Sequence, residues 1–271
     1  MSETQDLVSL SSRMMAAVRA IETQRNDGLF KDPLAAKLAG EELIAEITPS
    51  AQKYEDNGTP IVIVRTRFFD DFLMSEAASI RQVVILGAGM DTRAFRLPWQ
   101  SDTQIYELDR PEVMEYKTSV LGDIQSKCER HLISVDLTEP WAEQLIASGY
   151  QVEIPSVWLM EGVLYYLSDQ EVHKLLKVIT QLSVPLSWLG ADLINSYFVW
   201  KSTGKLSQHW QYGCDEPEKL LSTYNWEASV LQAGEEGANY GRFTNKLQPR
   251  HVKDVPHYFF VKASLKMKSN S

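Results

Sequence analysis

Cysteine is scarce: Cys128 and Cys214 are the only two among 271 residues. Two cannot build a disulfide framework, and their separation is no metal-ligand spacing, so a reducing compartment is expected. Histidine is nearly as sparse. His131, His173, His209, His251 and His257 are scattered without an H-x-x-x-H pair or a Cys/His cluster, so no metal is expected. Positive charge is short as well. The 27 Lys and Arg against 36 Asp and Glu leave a net charge of -9, whereas a nucleic-acid partner calls for a basic surface. No apolar run approaches the roughly 20 residues of a membrane-spanning helix. The polar, acidic start Met1-Ser2-Glu3-Thr4-Gln5-Asp6 is no secretory leader. These absences lead us to expect a cytoplasmic protein with neither a nucleic-acid nor a membrane partner.

What is present divides by periodicity. Residues 1–80 read as helical, with Met14, Met15, Val18 and Ile21 at helical spacing. Asp32-Pro33 has the form of an N-cap followed by proline at the first helical position, and Leu34, Leu38, Leu43 and Ile47 supply an apolar face behind it. Breaks are expected at Thr48-Pro49-Ser50 and at Asn57-Gly58-Thr59-Pro60, then a helix from Ile63 to Ala78. From 81 onward strands are expected at 82–86, 104–108, 131–135, 155–160 and 187–194, with helices between. The clearest helix opens on Ser168-Asp169-Gln170-Glu171, a capping box. Such alternation predicts a parallel, doubly wound α/β sheet. Residues 196–225 are aromatic and polar without period, as in a loop-rich insertion. Segments 228–231 and 257–263 have the form of an antiparallel hairpin at the sheet edge.

The most informative stretch is Val83-Val84-Ile85-Leu86-Gly87-Ala88-Gly89, an apolar strand running into a Gly-x-Gly turn. A second strand then ends in acid, Glu107-Leu108-Asp109. Such a turn lets backbone approach a ligand, and the strand-end acid accepts hydrogen bonds from ribose hydroxyls. Glu107 and Asp109 point the same way off the strand, one toward ribose and the other toward solvent. The third glycine of the dinucleotide fingerprint is replaced by Thr92. A pyrophosphate needs that tight turn into a helix. A nucleoside without phosphates, such as S-adenosyl-L-methionine, does not. Asp91-Thr92-Arg93 reads either as a cap with a salt bridge or as an orienting group for the amino-acid end of such a ligand. Asp136, after the third strand, either receives an adenine amine or caps the next helix. Glu161 follows the apolar run Ser156–Met160, at the carboxyl end of a central strand, and as a buried acid it needs a cationic or donor partner. One of Tyr165 and Tyr166 is expected in the core, and Tyr166 joins the candidate cofactor contacts. Arg65 and Arg67 read either as a solvated helix start or as a clamp on a carboxylate. His209, within the aromatic insertion, is the one candidate base. Tyr197, Trp200, Trp210 and Tyr212 crowd the insertion and could wall a substrate.

In order along residues 13–195, the segments Arg19–Thr23, Leu29–Pro33, Arg65–Asp70, Val84–Arg93, Tyr106–Pro111, Val135–Leu137 and Glu161–Leu167 resemble the leucine carboxyl methyltransferase (PPM-type) family of S-adenosyl-L-methionine-dependent methyltransferases, in particular its smaller bacterial members. The resemblance implies a class I methyltransferase fold: a Rossmann-like, seven-stranded, mostly parallel sheet with its last strand antiparallel. Residues 1–80 would form a helical extension over the cofactor and 81–271 the core, with a substrate lid at 196–225. It implies S-adenosyl-L-methionine as cofactor, contacted at Gly87, Ala88 and Gly89. Asp109 would hold ribose, Asp136 and Leu137 would flank adenine, and Glu161 would lie near the methionine amine. One of Arg65 and Arg67 would bind the cofactor carboxylate. The expected reaction is O-methylation of a carboxylate on a small molecule or peptide, since an ionised carboxylate needs no general base. The alternatives are hydroxyl methylation of a polyketide-like or peptide-like metabolite, a non-catalytic cofactor-binding module, and a nicotinamide oxidoreductase, which Thr92 disfavours.

The missing third glycine gives a direct test. Thermal denaturation should shift upward with S-adenosyl-L-methionine or S-adenosylhomocysteine concentration, because a ligand binding only the native state stabilises it by mass action. Stabilisation by NADH instead would overturn the reading.

Overall fold

The computed structural model describes residues 3–204 and 206–267, with side chains described from Leu10 onward. Four helices come first: α1 (Glu3–Gln24), α2 (Ala35–Ala39), α3 (Glu41–Asp56) and α4 (Ile61–Glu76). The buried apolar residues of α1 are small, Ala16, Ala17 and Ala20. Small side chains let α1 approach α2 and α3 closely, while Met14, Met15 and Val18 remain half-buried and face a cavity. The expected continuous face from Leu34 to Ile47 is interrupted at Gly40, whose φ of +84° separates α2 from α3. Asp32 accepts the Leu34 N–H at 3.3 Å, but its other oxygen is taken by Arg19 at 2.9 Å and Thr92 at 2.7 Å, so α2 starts later than a simple cap predicts. The break expected at Pro49 does not occur. Pro49 lies inside α3 on an exposed stretch, where the lost donor costs least. Nearby, Thr48 donates to the Ile44 carbonyl and Ser50 to that of Ile47.

The sheet has seven strands: β1 (Gln82–Leu86), β2 (Gln104–Asp109), β3 (Glu129–Ser134), β4 (Ser156–Met160), β5 (Trp188–Ile194), β6 (Trp226–Gln232) and β7 (Tyr258–Leu265). Their order is β3-β2-β1-β4-β5-β7-β6. The first five are parallel, joined through α5 (Arg93–Arg96), α6 (Pro111–Leu121), α7 (Ala142–Ala147) and α8 (Asp169–Gln181). This is the seven-stranded sheet that the resemblance implies. β1 and β4 are buried along their whole length, as central parallel strands must be. Their side chains alternate between two cores. Val83, Ile85, Val157 and Leu159 pack with Phe68, Phe69 and Phe72 of α4, while Val84, Leu86, Trp158 and Met160 pack with Leu175 and Leu176 of α8. The Ser168–Glu171 capping box is present: Ser168 Oγ accepts the Glu171 N–H, and Glu171 accepts the Ser168 N–H at 2.7 Å.

The hairpin expected from 228–231 and 257–263 forms, with Ala228 opposite Ala263. β7 docks antiparallel on β5, and β6 takes the edge. The segment between β5 and β6 holds α9 (Ser196–Lys201), a 3₁₀ turn Ser207–His209 and α10 (Pro217–Ser222). Its second half is not peripheral. Tyr212, Cys214, Leu220 and Leu221 are buried in the core shared with α8.

α4 crosses β5 very closely at Gly190. A Cβ there would meet Phe72 at 2.6 and 2.9 Å. Gly190→Ala should therefore destabilise the fold by about 1–3 kcal/mol, as for an overpacked core position, seen as a lower urea midpoint with an unchanged denaturant slope. A wild-type midpoint would show that Phe72 yields freely.

Candidate active site

The strand order reverses between β1 and β4, which places a crevice at the carboxyl ends of the strands. β1 leaves the sheet through Gly87 (φ +66°) and Gly89 (φ +44°), conformations that favour glycine. The space freed by the absent side chains is filled by the protein itself: a Cβ on Gly87 would meet Val163 at 2.5 Å, and one on Gly89 would meet Ser12 of α1 at 2.9 Å. The glycines thus serve the turn and its close cover. The next strand end buttresses them. The Gly89 N–H donates to Asp109 Oδ2 at 2.6 Å, and the Arg110 N–H to Oδ1 at 2.7 Å.

A cavity of about 870 Å³ opens here, lined by Arg65, Gly87, Ala88, Gly89, Asp109, Asp136, Leu137, Glu161, Tyr166 and His209. Sequence reasoning had singled out each of these. Arg67 is the exception. Its guanidinium pairs with Asp71 at 2.9 Å, donates to the Leu29 carbonyl, and is 41% exposed on another face of α4. Of the two, Arg65 is the one that lines the cavity. Glu107 also departs from expectation. It is fully buried, and rather than meeting solvent it binds Lys117 at 2.7 Å and Arg130 at 2.6 Å. The Asp136 carboxylate accepts both the backbone N–H and the hydroxyl of Thr138, closing a turn after β3. Tyr166 bonds Ser11 of α1 at 3.2 Å.

Glu161 was expected to draw its counter-charge from a ligand, but the chain supplies two arginines. Arg65 Nε donates to Oε1 at 2.9 Å, and Arg93 Nη2 lies 2.7 Å from Oε2. Burial pushes the Glu161 carboxyl up, and Arg93 and Arg65 more than offset it, so its pKa lies below the ordinary value. Burial likewise opposes ionisation of Asp91, but Arg93 and Lys117 outweigh it and hold its pKa at about 2. Arg93 also meets Asp70 at 2.8 Å, and Arg65 meets Asp192 at 3.0 Å and the Tyr258 hydroxyl at 2.8 Å. Within the chain, Asp91 accepts the Arg93 N–H and pairs with its guanidinium, and Thr92 ties the turn to Asp32, while all three also line the cavity. Sequence reasoning missed Asp70, Asp192 and Tyr258. Asp192, a lone acid within an apolar strand, carries the same signal that identified Glu161.

Two features fit a nucleoside with an amino-acid end. The Glu161 carboxylate, held between Arg65 and Arg93, lines the cavity, where its charge suits an ammonium. The Asp109 carboxyl is pushed up by burial against its two N–H donors, so hydroxyl donors would relieve it. The strand order and the crevice at the strand ends are those of a class I methyltransferase fold.

Comparison with known proteins agrees. The model of the leucine carboxyl methyltransferase (LCM) family matches residues 12–180. A Streptomyces coelicolor protein bearing an S-adenosyl-L-methionine-dependent methyltransferase name is 37% identical over 255 residues, covering 88% of this chain and 89% of that protein. A similarly named Streptomyces avermitilis protein is 36% identical over 246 residues, covering 84% of this chain and 86% of its own. Among solved structures, a Thermobifida fusca protein named for methyltransferase activity superposes with a TM-score of 0.57 at 14% identity, covering 94% of each chain. The chain belongs to the leucine carboxyl methyltransferase family.

The depressed carboxyls set a pH dependence. Because their folded values lie below the unfolded ones, Asp91 and Glu161 contribute stability that is complete above the ordinary carboxylate range, about pH 4, and is lost as pH falls through the folded values. For Asp91 that value is about 2. The urea midpoint should fall as pH drops from about 5 to 3, and less steeply in Asp91→Asn. An identical slope in the variant would remove Asp91 from the linkage.

Proposed function

We propose that this S-adenosyl-L-methionine-dependent methyltransferase methylates a carboxylate on a small molecule or peptide. The observation that carries this reading is that three titratable side chains lining the cavity, Glu161, Tyr165 and Tyr258, are committed to partners within the chain. Glu161 is held ionised between Arg65 and Arg93. Tyr165 and Tyr258 are pushed up by burial and bonded to Arg65 and Asp192. No poised base is needed for an acceptor that is already ionised at neutral pH.

When bound, S-adenosyl-L-methionine supplies a methyl group on a positively charged sulfur. Glu161 and Arg65 would hold its methionine end, Asp109 its ribose, and Asp136 and Leu137 its adenine, with α1 and the helices of residues 1–80 covering the crevice. The acceptor oxygen forms the new O–C bond as the S–C bond breaks and its electron pair returns to sulfur. The chain contributes alignment and exclusion of water, which bring the reacting atoms to about 3–3.5 Å. The reading places the reaction in the cytoplasm, within biosynthesis of a small molecule or peptide, without a nucleic-acid or membrane partner.

A second reading, hydroxyl methylation, is favoured by one observation: His209 lines the same cavity. Its ring nitrogen contacts Gln208 at 3.2 Å. On the carboxylate reading, His209→Ala should retain turnover within about tenfold, because no proton transfer depends on it. The product should release methanol in mild alkali, read by mass spectrometry before and after treatment. A methyl group that survives alkali would move the assignment to the hydroxyl branch.

A further inference from the structure

The cavity lining divides by chemistry. The glycine turn, Asp109 and Asp136 lie at the carboxyl ends of the strands. Away from them the lining is largely apolar, and much of it comes from the helical extension. Met14 and Val18 of α1 stand four residues apart and so share a helix face. Ile47, Ala51 and Tyr54 do the same on α3, at successive spacings of four and three. Ser50, on the same face, turns its hydroxyl back to the Ile47 carbonyl at 2.8 Å. These side chains are open rather than sealed into the core. Met14, Val18 and Ala51 are half-buried, and Tyr54 is 59% exposed. From Ile47 to Tyr54 the stripe is about 10 Å long.

The stripe also leads to the right place. The Thr59 N–H donates to the Tyr54 carbonyl at 2.8 Å and turns the chain back into α4, whose Ile61 lines the cavity too. Ile61 lies one helical turn before Arg65, on the same face and about 6 Å along the axis. Arg65 binds Glu161, at the methionine end of the expected cofactor. An apolar surface thus runs from beside that end to solvent at Tyr54. The arginines that line the cavity are each paired with a carboxylate, Arg19 with Asp32 and Arg96 with Asp70 among them. The cavity therefore favours an acceptor whose one charge is the reacting group.

We propose that the methyl acceptor is a monocarboxylate with an aliphatic chain, that the chain lies along the Ile47–Ala51–Tyr54 stripe of α3 against Met14 and Val18, and that Ala51, the small residue midway, sets the chain length accepted. This rests on the carboxylate reading above. A slender chain suits a stripe one side chain wide. Burying it removes apolar surface of both partners from water. Methionine, unbranched and polarizable, adapts to such a chain. A larger residue at Ala51 would close the stripe halfway and leave the cofactor end untouched.

The test is calorimetric titration of straight-chain carboxylates, butanoate to decanoate, into protein saturated with S-adenosylhomocysteine. Affinity should rise about fourfold per added methylene, at one chain per protein. Ala51→Phe should level that rise beyond about hexanoate, with S-adenosylhomocysteine affinity unchanged within about twofold. Tyr54→Ser, at an exposed position, should weaken decanoate about threefold or more and leave butanoate unchanged. A flat series in wild type overturns the acceptor class. An unaltered rise in Ala51→Phe overturns the placement of the chain. Should Ala51→Phe fail to fold, Tyr54→Ser decides, and equal decanoate affinity there overturns the proposal. The carboxylate reading fails separately: the same chain-length dependence with 1-alkanols, together with alkali-stable methyl transfer, would leave the stripe standing as a chain-binding surface without it.

Discussion

A guanidinium withdrawn from water must be paired, and the arrangement of this molecule around its sheet follows from how Arg65 and Arg93 meet that demand. Arg93, just after the glycine turn, is held by Asp70 of α4, Asp91 of the turn and Glu161 at the end of β4. Arg65, also on α4, takes the other side of Glu161 and reaches Asp192 on β5 and Tyr258 on β7. Arg96 adds a two-pronged contact to Asp70. The helical extension is thereby fixed on the carboxyl ends of the strands by groups that cannot be removed singly. Deleting one partner of such a set leaves an uncompensated buried charge, which costs about 3–5 kcal/mol.

The same lattice explains which parts of the molecule could be read from sequence. The strands were legible because buried parallel strands are apolar runs, and here glycine and acid punctuate their ends. The helices were legible in existence and less so in extent. Pro49 reads as a break, yet it sits where α3 faces solvent, and Gly40 reads as an ordinary residue of a continuous face. Neither outcome follows from local propensity, because each depends on what the neighbouring turn packs against. Arg65 and Arg67 were indistinguishable by type and spacing. Residues two apart on a helix point about 200° apart, so only one of them shares the buried face. Which one is settled by Phe68, Phe69 and Phe72, whose burial against the sheet turns Arg65 inward. Glu107 and Asp109 were correctly placed on one side of β2. Their different fates come from Lys117 and Arg130, which cover the first carboxylate and leave the second beside the glycine turn.

Polar groups at the cofactor end are held ready at some cost to stability. Burial pushes the Asp109 carboxyl up against the two backbone N–H groups that it accepts. The Glu161 carboxylate is held between the guanidinium groups of Arg65 and Arg93. A core optimised only for stability would replace such groups with well-packed apolar residues. Their persistence at a switch-point crevice is what a site preorganised for a charged, hydroxylated ligand requires: dipoles and charges are in place before the ligand arrives, so little reorganisation accompanies binding.

The two ends of the cavity therefore solve opposite problems. At the glycine end, the ligand expected from family membership carries an ammonium, a carboxylate and ribose hydroxyls, and the chain meets them with charges already balanced among themselves. At the aromatic end, Tyr165, Phe198 and Trp210 bring ring faces together, with centroids 5.0 Å (Tyr165–Trp210) and 5.7 Å (Phe198–Trp210) apart, and the guanidinium of Arg65 stays engaged with Glu161 and Asp192. Rings offer apolar area and preferred stacking geometry where the other end offers charge. One continuous cavity thus joins a charged end, built from the strand ends and the glycine turn, to an aromatic end built from the segment after β5.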